Sequence, residues 1–565
     1  MPAAKSTSLR VLVIGSGARE HALARRLAQS PAVSAVHVAP GNPGMSEDAG
    51  VSVTGAWCTA GTVRDLAIDL AVIGPEEPLV RGLADELREA GCAVVGPEAR
   101  AAALEGSKAA AREFMAQAGV RTPEWRVCSD LEEARAAIAG FGAPVVIKAD
   151  GLASGKGVAV CASETQARAA AETILRDRLY GDAGSRVVVE RAVVGRETSV
   201  LALLDESGYF MLPPTRDYYE IGPLSERSTT GGMGAVAPDP EVDVAMRERI
   251  ERELLEPTAA LIRSKGWTYR GFLYIGVVID AEGPLALEYN VRAGDPELQA
   301  TLELVEGDLG LLLAGLAGGR LTDTLKPAGI QQREGAACAL VASAGGYPQL
   351  PSSGDRLTLE PVPAGSELAG TTAVHFAGVG RGSADGELMT ARGRVLSVVG
   401  VGADLDTARV RAYRRMQLVR FDGMQVRADV GGAPLGGALI EESDVLMLQF
   451  AKRGGLLPVV VQDSATREVL MLGYANRRAV EETRRRGYAT FWSTSRNALW
   501  TKGESSGDWL RLDAIRVDCD QDALLYEVTP EGNGTCHTVS RDGSPRRRCF
   551  YRRLDAEGLL VNEIP

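Results

Sequence analysis

The front of the chain alternates short apolar runs with glycine-containing turns and helical stretches, which is the pattern of repeated strand–turn–helix units. Apolar runs cover Arg10–Ile14, Leu70–Ile73 and Ala93–Val95, and a glycine follows each of them. A helical stretch with alanines and arginines on opposite sides extends from the first turn to Leu27. Repetition of such units predicts a parallel, Rossmann-like sheet that binds ligands at the carboxyl ends of its strands.

The first of these turns, Gly15–Glu20, carries two of the three glycines of a dinucleotide-binding fingerprint. Glu20 stands where the third glycine is expected. The third glycine normally allows close packing of helix and strand. The segment is therefore compatible with a cofactor loop and equally with a tight turn at a strand end.

A second pattern places cations and glycines between apolar strands. The segment Val145–Val158 holds three glycines and two lysines, without the Gly-Lys-[Ser/Thr] start of a Walker loop. We therefore expect a flap between two strands whose amides fold over a polyphosphate. Farther along, Glu288 and Asn290 alternate on a predicted strand and can ligate one Mg²⁺ that bridges ATP phosphates. A structural role for any single glutamate is as good an interpretation, but the ordered set is much less expected by chance.

The last fifth of the chain combines thiols with alternating carboxylates. The segment Asp518–Asp522 carries aspartates at every second position around Cys519, and Cys536 and Cys549 follow. If this segment is extended, its period of two puts the three carboxylates on one face and Cys519 on the other. Three thiolates suit zinc and leave a fourth position for water, whereas a row of carboxylates suits magnesium. We predict two adjacent metal sites; the alternative is an acidic turn with buried, inert cysteines.

Composition narrows the class of protein. With 565 residues, 45% hydrophobic and 24% charged, the chain has the size of about three to five globular domains. A net charge of −12 argues against a general nucleic-acid binder, although anionic substrates need only local basic pockets. No apolar leader and no run of eighteen apolar residues occur, so we expect no membrane association. Five of the eight cysteines are scattered singly, which favours a reducing, cytoplasmic location.

Residues 9 to 432 resemble phosphoribosylamine–glycine ligase (glycinamide ribonucleotide synthetase), an ATP-grasp enzyme of purine biosynthesis. The segments that carry the resemblance are Gly15–Leu23, Pro40–Asn42, Gly74–Glu76, Glu105–Lys108, the lysine-glycine loop, Gly231–Ala235, Arg292–Glu297 and Gly393–Leu396. The resemblance implies that ATP phosphorylates an amino-acid carboxylate, and that an amine then attacks the mixed anhydride. The implied site residues are Lys108, Lys148 and Lys156 at the phosphates, Glu190 and Glu197 at the adenine and ribose, Glu288 and Asn290 at magnesium, and Arg292 and Asp295 at the acyl phosphate and acceptor.

Residues 443 to 556 resemble phosphoribosyl-AMP cyclohydrolase of histidine biosynthesis, most specifically at Trp500–Gly507 and Asp518–Asp522. The resemblance implies hydrolysis of the N1–C6 bond of an adenine ring by a zinc-activated water. It assigns zinc to Cys519, Cys536 and Cys549, and magnesium to Asp518, Asp520 and Asp522. The family shares its zinc site across a homodimer, so we expect a homodimer through this domain. His537 is a candidate general base, or else a histidine that only packs beside the metal.

Both halves depart from these family patterns. Tyr218, Tyr219 and Glu220 stand where the ligase family has His-Lys-Arg, and Arg227–Thr230 replaces Gly-Pro-Asn-Thr, so the acceptor side loses basic groups. In the second half, the last two cysteines are thirteen residues apart, farther than in the family. The intervening insertion carries four arginines, which either bind phosphate or are solvated.

Together these observations predict a multidomain α/β and α+β protein. We expect a Rossmann-like domain (1–108), an ATP-grasp domain (109–325), a small C-terminal ligase domain (326–432), a glycine-rich linker (433–442) and a mainly β, dimeric, metal-binding domain (443–565). The leading hypothesis is a bifunctional enzyme whose partners are small molecules: an amino acid, an amine, ATP and a phosphoribosyl nucleotide. Two alternatives are diverged paralogues acting on altered substrates in a specialised pathway, and one half kept as a non-catalytic module.

Overall fold

The structure is a computed structural model that describes residues 8–153, 157–221, 230–363, 365–382, 386–432, 448–540 and 542–563. The chain divides into two units, Met1–Ala433 and Pro434–Pro565. Lys156, Arg227–Thr229 and the predicted linker lie outside the described residues. Among the helices of the described residues, none has both the length and the apolar character that a membrane span requires.

Five parallel strands open the first unit, and the first, fourth and fifth of them lie at the three predicted apolar runs. They are β1 (Leu9–Gly15), β2 (Val33–Pro40), β3 (Val51–Val53), β4 (Leu70–Ile73) and β5 (Ala93–Val95), in the order β3-β2-β1-β4-β5. The connecting helices are α1 (Ala18–Ala28), α2 (Ala60–Asp65), α3 (Glu76–Val80), α4 (Leu83–Glu89) and α5 (Ala99–Gly106), with a 3₁₀ turn at Pro43–Glu47. Alternate residues of β1 enter two different hydrophobic clusters, so both faces of the sheet are covered.

A second, antiparallel sheet holds the lysine-glycine loop. Its strands are β6 (Trp125–Cys128), β7 (Val145–Ala149), β8 (Val158–Cys161) and β9 (Val187–Arg191), in the order β6-β9-β7-β8. Helices α6 (Lys108–Ala118), α7 (Leu131–Phe141) and α8 (Glu164–Leu175) accompany it, with a 3₁₀ turn at Gly181–Gly184. Strands β7 and β8 form a hairpin that pairs Lys148 with Val158. The loop is therefore held between two strands, as predicted.

The predicted strand that carries Glu288 and Asn290 lies in the next part of the chain. This part contains β10 (Arg196–Asp205), β11 (Gly208–Met211), β12 (Arg216–Asp217), β13 (Gly234–Ala237), β14 (Gly271–Ile279) and β15 (Pro284–Asn290). Four of these strands form a sheet with the order β11-β10-β14-β15. Its helices are α9 (Val244–Ile250), a π turn at Glu251–Leu255, α10 (Glu256–Ser264), α11 (Glu297–Leu302), α12 (Leu309–Ala317) and α13 (Leu321–Leu325). Glu288 and Asn290 do lie on one strand, β15, as their spacing predicts.

The rest of the first unit completes a mixed α/β architecture. Its strands are β16 (Val305–Glu306), β17 (Gln331–Gln332), β18 (Ala336–Ser343), β19 (Thr358–Leu359), β20 (Thr372–Phe376), β21 (Val379–Arg381), β22 (Leu388–Thr390), β23 (Arg394–Gly402), β24 (Val419–Arg420) and β25 (Gln425–Val426). The main sheet has the order β12-β13-β18-β23-β20, and β25 also pairs with β18. Helix α14 (Leu405–Met416) accompanies it.

The second unit is mainly β, as predicted. It contains a 3₁₀ turn at Phe450–Arg453, β26 (Leu457–Asp463), β27 (Val469–Ala475), α15 (Arg477–Arg486), β28 (Thr490–Ser493), β29 (Ala498–Thr501), β30 (Trp509–Val517), β31 (Leu524–Glu531), β32 (Arg552–Leu554) and β33 (Leu560–Asn562). The main sheet has the order β27-β26-β31-β30, in which only the β26–β31 pair is parallel. The alternating buried residues Leu457, Val459 and Val461 of β26 anchor its core.

Candidate functional site

Lys148 is fixed at the end of β7 by a buried ion-pair network. Its Nζ lies 2.9 Å from Glu190 Oε2 on β9, and Arg112 Nη2 of α6 lies 2.6 Å from Glu190 Oε1. Only 2% of Glu190 is exposed. Burial raises the pKa of this carboxyl, but Lys148 and Arg112 outweigh it and hold the pKa below its usual range. Glu190 therefore holds Lys148 as an oriented cation beside the flap.

Further charged groups converge on Glu288 of β15. Asn290 Nδ2 donates to Glu288 Oε1 at 3.2 Å. Lys108 begins α6 nearby, and burial lowers its pKa although the charge of Glu288 opposes the shift. The side chain of Glu197 on β10 is exposed, but nearby protein atoms still reduce its solvation. This desolvation, followed by the negative charge of Glu288, raises the pKa of Glu197. The structure thus brings Lys108, Lys148, Glu197, Glu288 and Asn290 together, which is a donor set suited to a polyphosphate and a hard cation.

Arg292 and Asp295 follow β15 and are both held by ion pairs. Arg292 Nε lies 3.2 Å from Glu76 Oε2 and 3.2 Å from Glu105 Oε1. Burial raises the pKa of Glu105 to about 7, although Arg292 opposes that shift. Asp295 Oδ2 pairs with Arg394 Nη2 at 3.1 Å. Burial opposes ionisation of Asp295, but the positive charge of Arg394 keeps its pKa below the usual range.

Sequence reasoning missed Arg112, Arg394 and Glu297 as members of this region. Arg394 lies in the segment Gly393–Leu396, so its position in a recognised motif was an available signal. Arg112 has no such signal, because its role depends on the approach of α6 to β9. Glu297 is 3% exposed, and its Oε2 has no hydrogen-bond partner among the described residues. Burial is the main reason that the pKa of Asp217 lies well above its usual range, and the negative charge of the neighbouring Glu297 raises it further.

Tyrosines replace the expected basic groups on the acceptor side. The Tyr219 hydroxyl lies 3.2 Å from that of Tyr274, which lies 2.7 Å from Ser199 Oγ. The Tyr218 ring faces two guanidinium groups, with Arg427 Cζ at 5.1 Å and Arg216 Cζ at 5.7 Å from its centroid. The two phenol rings thus occupy a defined polar network, and Arg216 is further engaged by Glu241 at 2.8 Å.

The glycine turn after β1 is filled by its own glutamate. Glu20 Oε2 accepts a hydrogen bond from Gly17 N at 2.7 Å. A Cβ added at Gly15 or at Gly74 would collide with the Glu20 side chain. A pyrophosphate would need the amides at this helix start. Of the two interpretations left open by the sequence, the structure therefore favours the tight turn.

The segment Asp518–Asp522 is a turn between β30 and β31, so the condition of an extended segment, under which a period of two would put the carboxylates on one face, is not met. Gln521 N donates to Asp518 O at 3.2 Å, Ala523 N donates to Asp518 Oδ1 at 2.9 Å, and Gln521 has a positive φ of 55°. Pairing of two antiparallel strands forces the chain to reverse here. The three carboxylates nevertheless meet, since ligand oxygens from all three lie within 4.8 Å of one another. Asp522 is 5% exposed and pairs with Arg453 at 3.2 Å.

Two of the three candidate zinc ligands are neighbours within one chain. The thiols of Cys536 and Cys549 lie within hydrogen-bonding reach of each other. Burial and the adjacent Cys536 raise the pKa of Cys549 to about 11. Cys519 is exposed on the turn, and among the described residues the three cysteines form no single cluster of ligand atoms. His537 follows Cys536 and is exposed.

The three described arginines of the insertion between Cys536 and Cys549 all contact other side chains. Arg547 pairs with Asp463 at 2.7 Å, Arg548 pairs with Glu468 at 3.1 Å, and Arg546 stacks 4.0 Å from the centroid of the Tyr551 ring. Arg541 lies outside the described residues. Three of the four arginines therefore contact the rest of the second unit.

Four family models together match most of the chain. Residues 9–105, 106–298 and 337–433 match the N, ATP-grasp (A) and C domains of phosphoribosylglycinamide synthetase. Residues 471–551 match phosphoribosyl-AMP cyclohydrolase.

Similar proteins support the first match. A phosphoribosylamine–glycine ligase of Chlorobaculum tepidum is 40% identical over 436 residues, covering 76% of this chain and all of that protein. One of Streptomyces coelicolor is 42% identical over 434 residues, with the same two shares. The crystal structure of phosphoribosylamine–glycine ligase from Thermotoga maritima is 33% identical, has a TM-score of 0.65, and covers 74% of this chain and 99% of that one. The MgADP-bound biotin carboxylase domain of Hydrogenobacter thermophilus 2-oxoglutarate carboxylase shares the fold, with 17% identity, a TM-score of 0.58, and coverage of 74% and 91%.

Proposed function

The chain belongs to the phosphoribosylglycinamide synthetase family, and from this membership we propose that its first unit joins glycine to phosphoribosylamine with ATP. The protein is a bifunctional enzyme, an ATP-grasp ligase followed by a cyclohydrolase domain. We propose phosphoribosyl-AMP as the substrate of the second unit. The two reactions would then serve purine and histidine biosynthesis. The family matches do not favour substrate-altered paralogues or a non-catalytic half.

The convergence of cations and carboxylates around Glu288 carries the proposal for the first unit. Lys108 and Lys148 lie beside the flap and would neutralise ATP phosphates, together with Lys156 from outside the described residues. Glu288 and Asn290 offer oxygens on one face of β15 and would hold magnesium, whose charge stabilises a transferring phosphoryl group. Glu197 would contact the nucleoside. Glu190 would act on the nucleotide mainly through Lys148, because both of its oxygens already bind cations.

Arg292 and Asp295 would act at the reacting end of ATP. Arg292 keeps a fixed guanidinium between Glu76 and Glu105, and this cation would stabilise negative charge on an acyl phosphate. Asp295 stays ionised beside Arg394 and would orient the amine that attacks the mixed anhydride. Tyr219, which stands where the family has a basic residue, would line the acceptor side together with its neighbour Tyr274.

A paired substitution tests the ligase assignment. Glu288→Gln should lower ATP-dependent ligation of glycine to phosphoribosylamine by at least about 100-fold, because metal stabilisation is worth several kcal/mol and 1.36 kcal/mol is tenfold. Glu282→Gln is the matched control, since Glu282 is 79% exposed on the turn that leads into the same strand. Ligation by the Glu288→Gln protein at the control rate would refute the assignment.

The second unit would hold two metals. Cys536 and Cys549 already adjoin and would bind zinc with Cys519, while Asp518, Asp520 and Asp522 would bind magnesium. These donors fit the two ions, because thiolates suit zinc and clustered carboxylate oxygens suit magnesium. A zinc ion bound there would supply Lewis-acid activation of water near neutral pH. His537 is exposed beside Cys536, where it would take up the proton released when water attacks the ring.

We further propose that the second unit forms a homodimer whose zinc sites combine residues from both subunits. Cys519 lies apart from the other two thiols in one chain, so a partner's turn would complete each site. Leu472 and Tyr474 of the edge strand β27, and Phe550 beside Cys549, expose 44%, 45% and 52% of their surfaces. Apolar residues exposed along a sheet edge favour a covering partner. Since all eight cysteines are free thiols, we also propose a cytoplasmic location.

A further inference from the structure

The chain between Cys536 and Cys549 folds back on itself as a paired hairpin. Cys536 N donates to Arg546 O at 3.0 Å, Arg546 N donates to Thr538 O at 3.3 Å, and Ser540 N donates to Ser544 O at 2.8 Å. Val539 and Pro545 form an antiparallel bridge between these bonds. The ladder brings together two cysteines that are thirteen positions apart.

The tip of this hairpin is a tight, internally bonded turn. Asp542 Oδ1 accepts from Ser544 N at 3.0 Å and from Ser544 Oγ at 2.7 Å. The hydrogen bond from the Ser540 hydroxyl, together with those from the Ser544 hydroxyl and amide, holds the pKa of Asp542 below its usual range. At the base, a Cβ added to Gly534 would lie 2.7 Å from Arg546 O, so the absence of a side chain lets the two arms approach.

Two ion pairs fasten the returning arm to the β26–β27 hairpin. Arg547 Nη2 reaches Asp463 Oδ2 at 2.7 Å, and Arg548 Nη1 reaches Glu468 Oε1 at 3.1 Å. Asp463 is only 3% exposed, and its other oxygen accepts from Ala465 N at 2.8 Å and Thr466 N at 3.0 Å. Asp463 therefore connects the turn after β26 to the insertion.

The same arm places the second thiol directly. Cys549 N donates to Leu470 O of β27 at 2.7 Å, two residues after Arg547. Leu470 is fully buried in the core of the second unit. A displacement of Arg547 would thus be passed through one short stretch of backbone to Cys549, while Cys536 is bonded to the same arm.

We propose that Arg547 is a positioning residue, whose ion pair with Asp463 holds Cys536 and Cys549 at metal-binding separation before any metal arrives. The inference rests on the proposed zinc function of the second unit, and it deepens that function by assigning a task to the insertion. Pre-positioned ligands lower the cost of ordering that metal binding must otherwise meet. Loss of a residue that orients metal ligands commonly weakens binding by about 10- to 100-fold.

The experiment uses the full-length enzyme stripped of metal by a chelator. Dibromobimane, which fluoresces when it bridges two neighbouring thiols, reports the separation of Cys536 and Cys549, and peptide mapping confirms the bridged pair. Zinc affinity is measured in parallel by competition with a chromogenic chelator. The variants are Arg547→Ala, Arg547→Lys and Asp463→Asn. Arg485→Ala is the control, because Arg485 is 66% exposed on α15 and forms an ion pair with Glu482 of the same helix.

We expect Arg547→Ala and Asp463→Asn to bridge several-fold more slowly and to bind zinc about tenfold more weakly. Arg547→Lys should recover most of both properties, and Arg485→Ala should match the parent. A folded Arg547→Ala protein that bridges and binds zinc like the parent would overturn the proposal. If Arg547→Ala does not fold, the Asp463→Asn protein decides by the same two measurements. A parent enzyme that binds no zinc would refute the proposed function, whereas its bridging rates would still test the positioning role.

Discussion

Complementation between two inactive variants tests whether each zinc site draws on two subunits. One variant is Cys519→Ser and the other is Cys536→Ser, and each alone should lack cyclohydrolase activity. In the structure Cys519 lies on the β30–β31 turn, away from the Cys536–Cys549 pair. In a hybrid dimer, one zinc site would contain both substituted residues and would be inactive. The other site would combine the unaltered Cys519 of one subunit with the unaltered Cys536 and Cys549 of the other, and would be intact.

The fraction of cyclohydrolase activity expected to return follows from the number of hybrid dimers and of intact sites in each. Random exchange of equal amounts of a two-fold symmetric dimer yields about half hybrids, and each hybrid would carry one working site of two, so about a quarter of the parent activity should return. Zinc content should rise with activity. If each site lay within one chain, every subunit of the hybrid would still be broken, and no activity would return.

The assay mixes the two purified variants, allows subunit exchange under mild denaturant, and follows conversion of phosphoribosyl-AMP by absorbance. Light scattering confirms the dimer. A mixture of Cys536→Ser with Cys549→Ser is the control, because both changes affect the same side of the shared site and no hybrid site is intact. Absence of recovery in the first mixture, with dimers present, would refute the shared site.

Three further outcomes are expected. Asn290→Ala should abolish ATP-dependent ligation and leave cyclohydrolase activity unchanged; loss of both activities in a folded protein would contradict independent units. Glu190→Gln should lower the free energy of unfolding by about 3 kcal/mol in urea titrations, because two buried cations lose their counter-charge. Since the folded-state pKa of Glu190 is depressed, this contribution is complete above the unfolded pKa of about 4.3 and is lost as the pH falls through the folded pKa, so the difference between the two proteins should shrink in acid. Asp520→Asn should keep its zinc in elemental analysis but require more magnesium for activity, and unchanged magnesium dependence would count against the carboxylate site.

Local sequence patterns were sufficient to predict the features that depend on a single strand or a single turn. Apolar runs ending in glycine identified β1, β4 and β5, because a strand buried on both faces has little freedom in composition. The two-residue spacing of Glu288 and Asn290 placed both on one face of β15. The recognised motifs identified both enzyme families, and the matches to family models and relatives confirm that identification.

Other features depend on contacts between residues far apart in the chain. The pairing of β30 with β31 bends Asp518–Asp522 into a turn, which no period along the segment reveals. Arg112 reaches Glu190 across 78 positions, and Arg394 reaches Asp295 across 99. Glu20 fills the glycine turn only because Gly74 of the neighbouring strand leaves it room.

The sequence by itself determined the residue types on which the proposed sites depend: thiols for the proposed zinc site, carboxylates for the proposed magnesium sites and lysines for the proposed phosphate contacts. Tertiary structure decided which of them meet. Cys536 and Cys549 become neighbours through the hairpin between them, while Cys519 stays apart within one chain. The physical reason is separation along the sequence. Helix and strand periods depend on residues a few positions apart, whereas these ion pairs and ligand sets form only after distant segments have packed together.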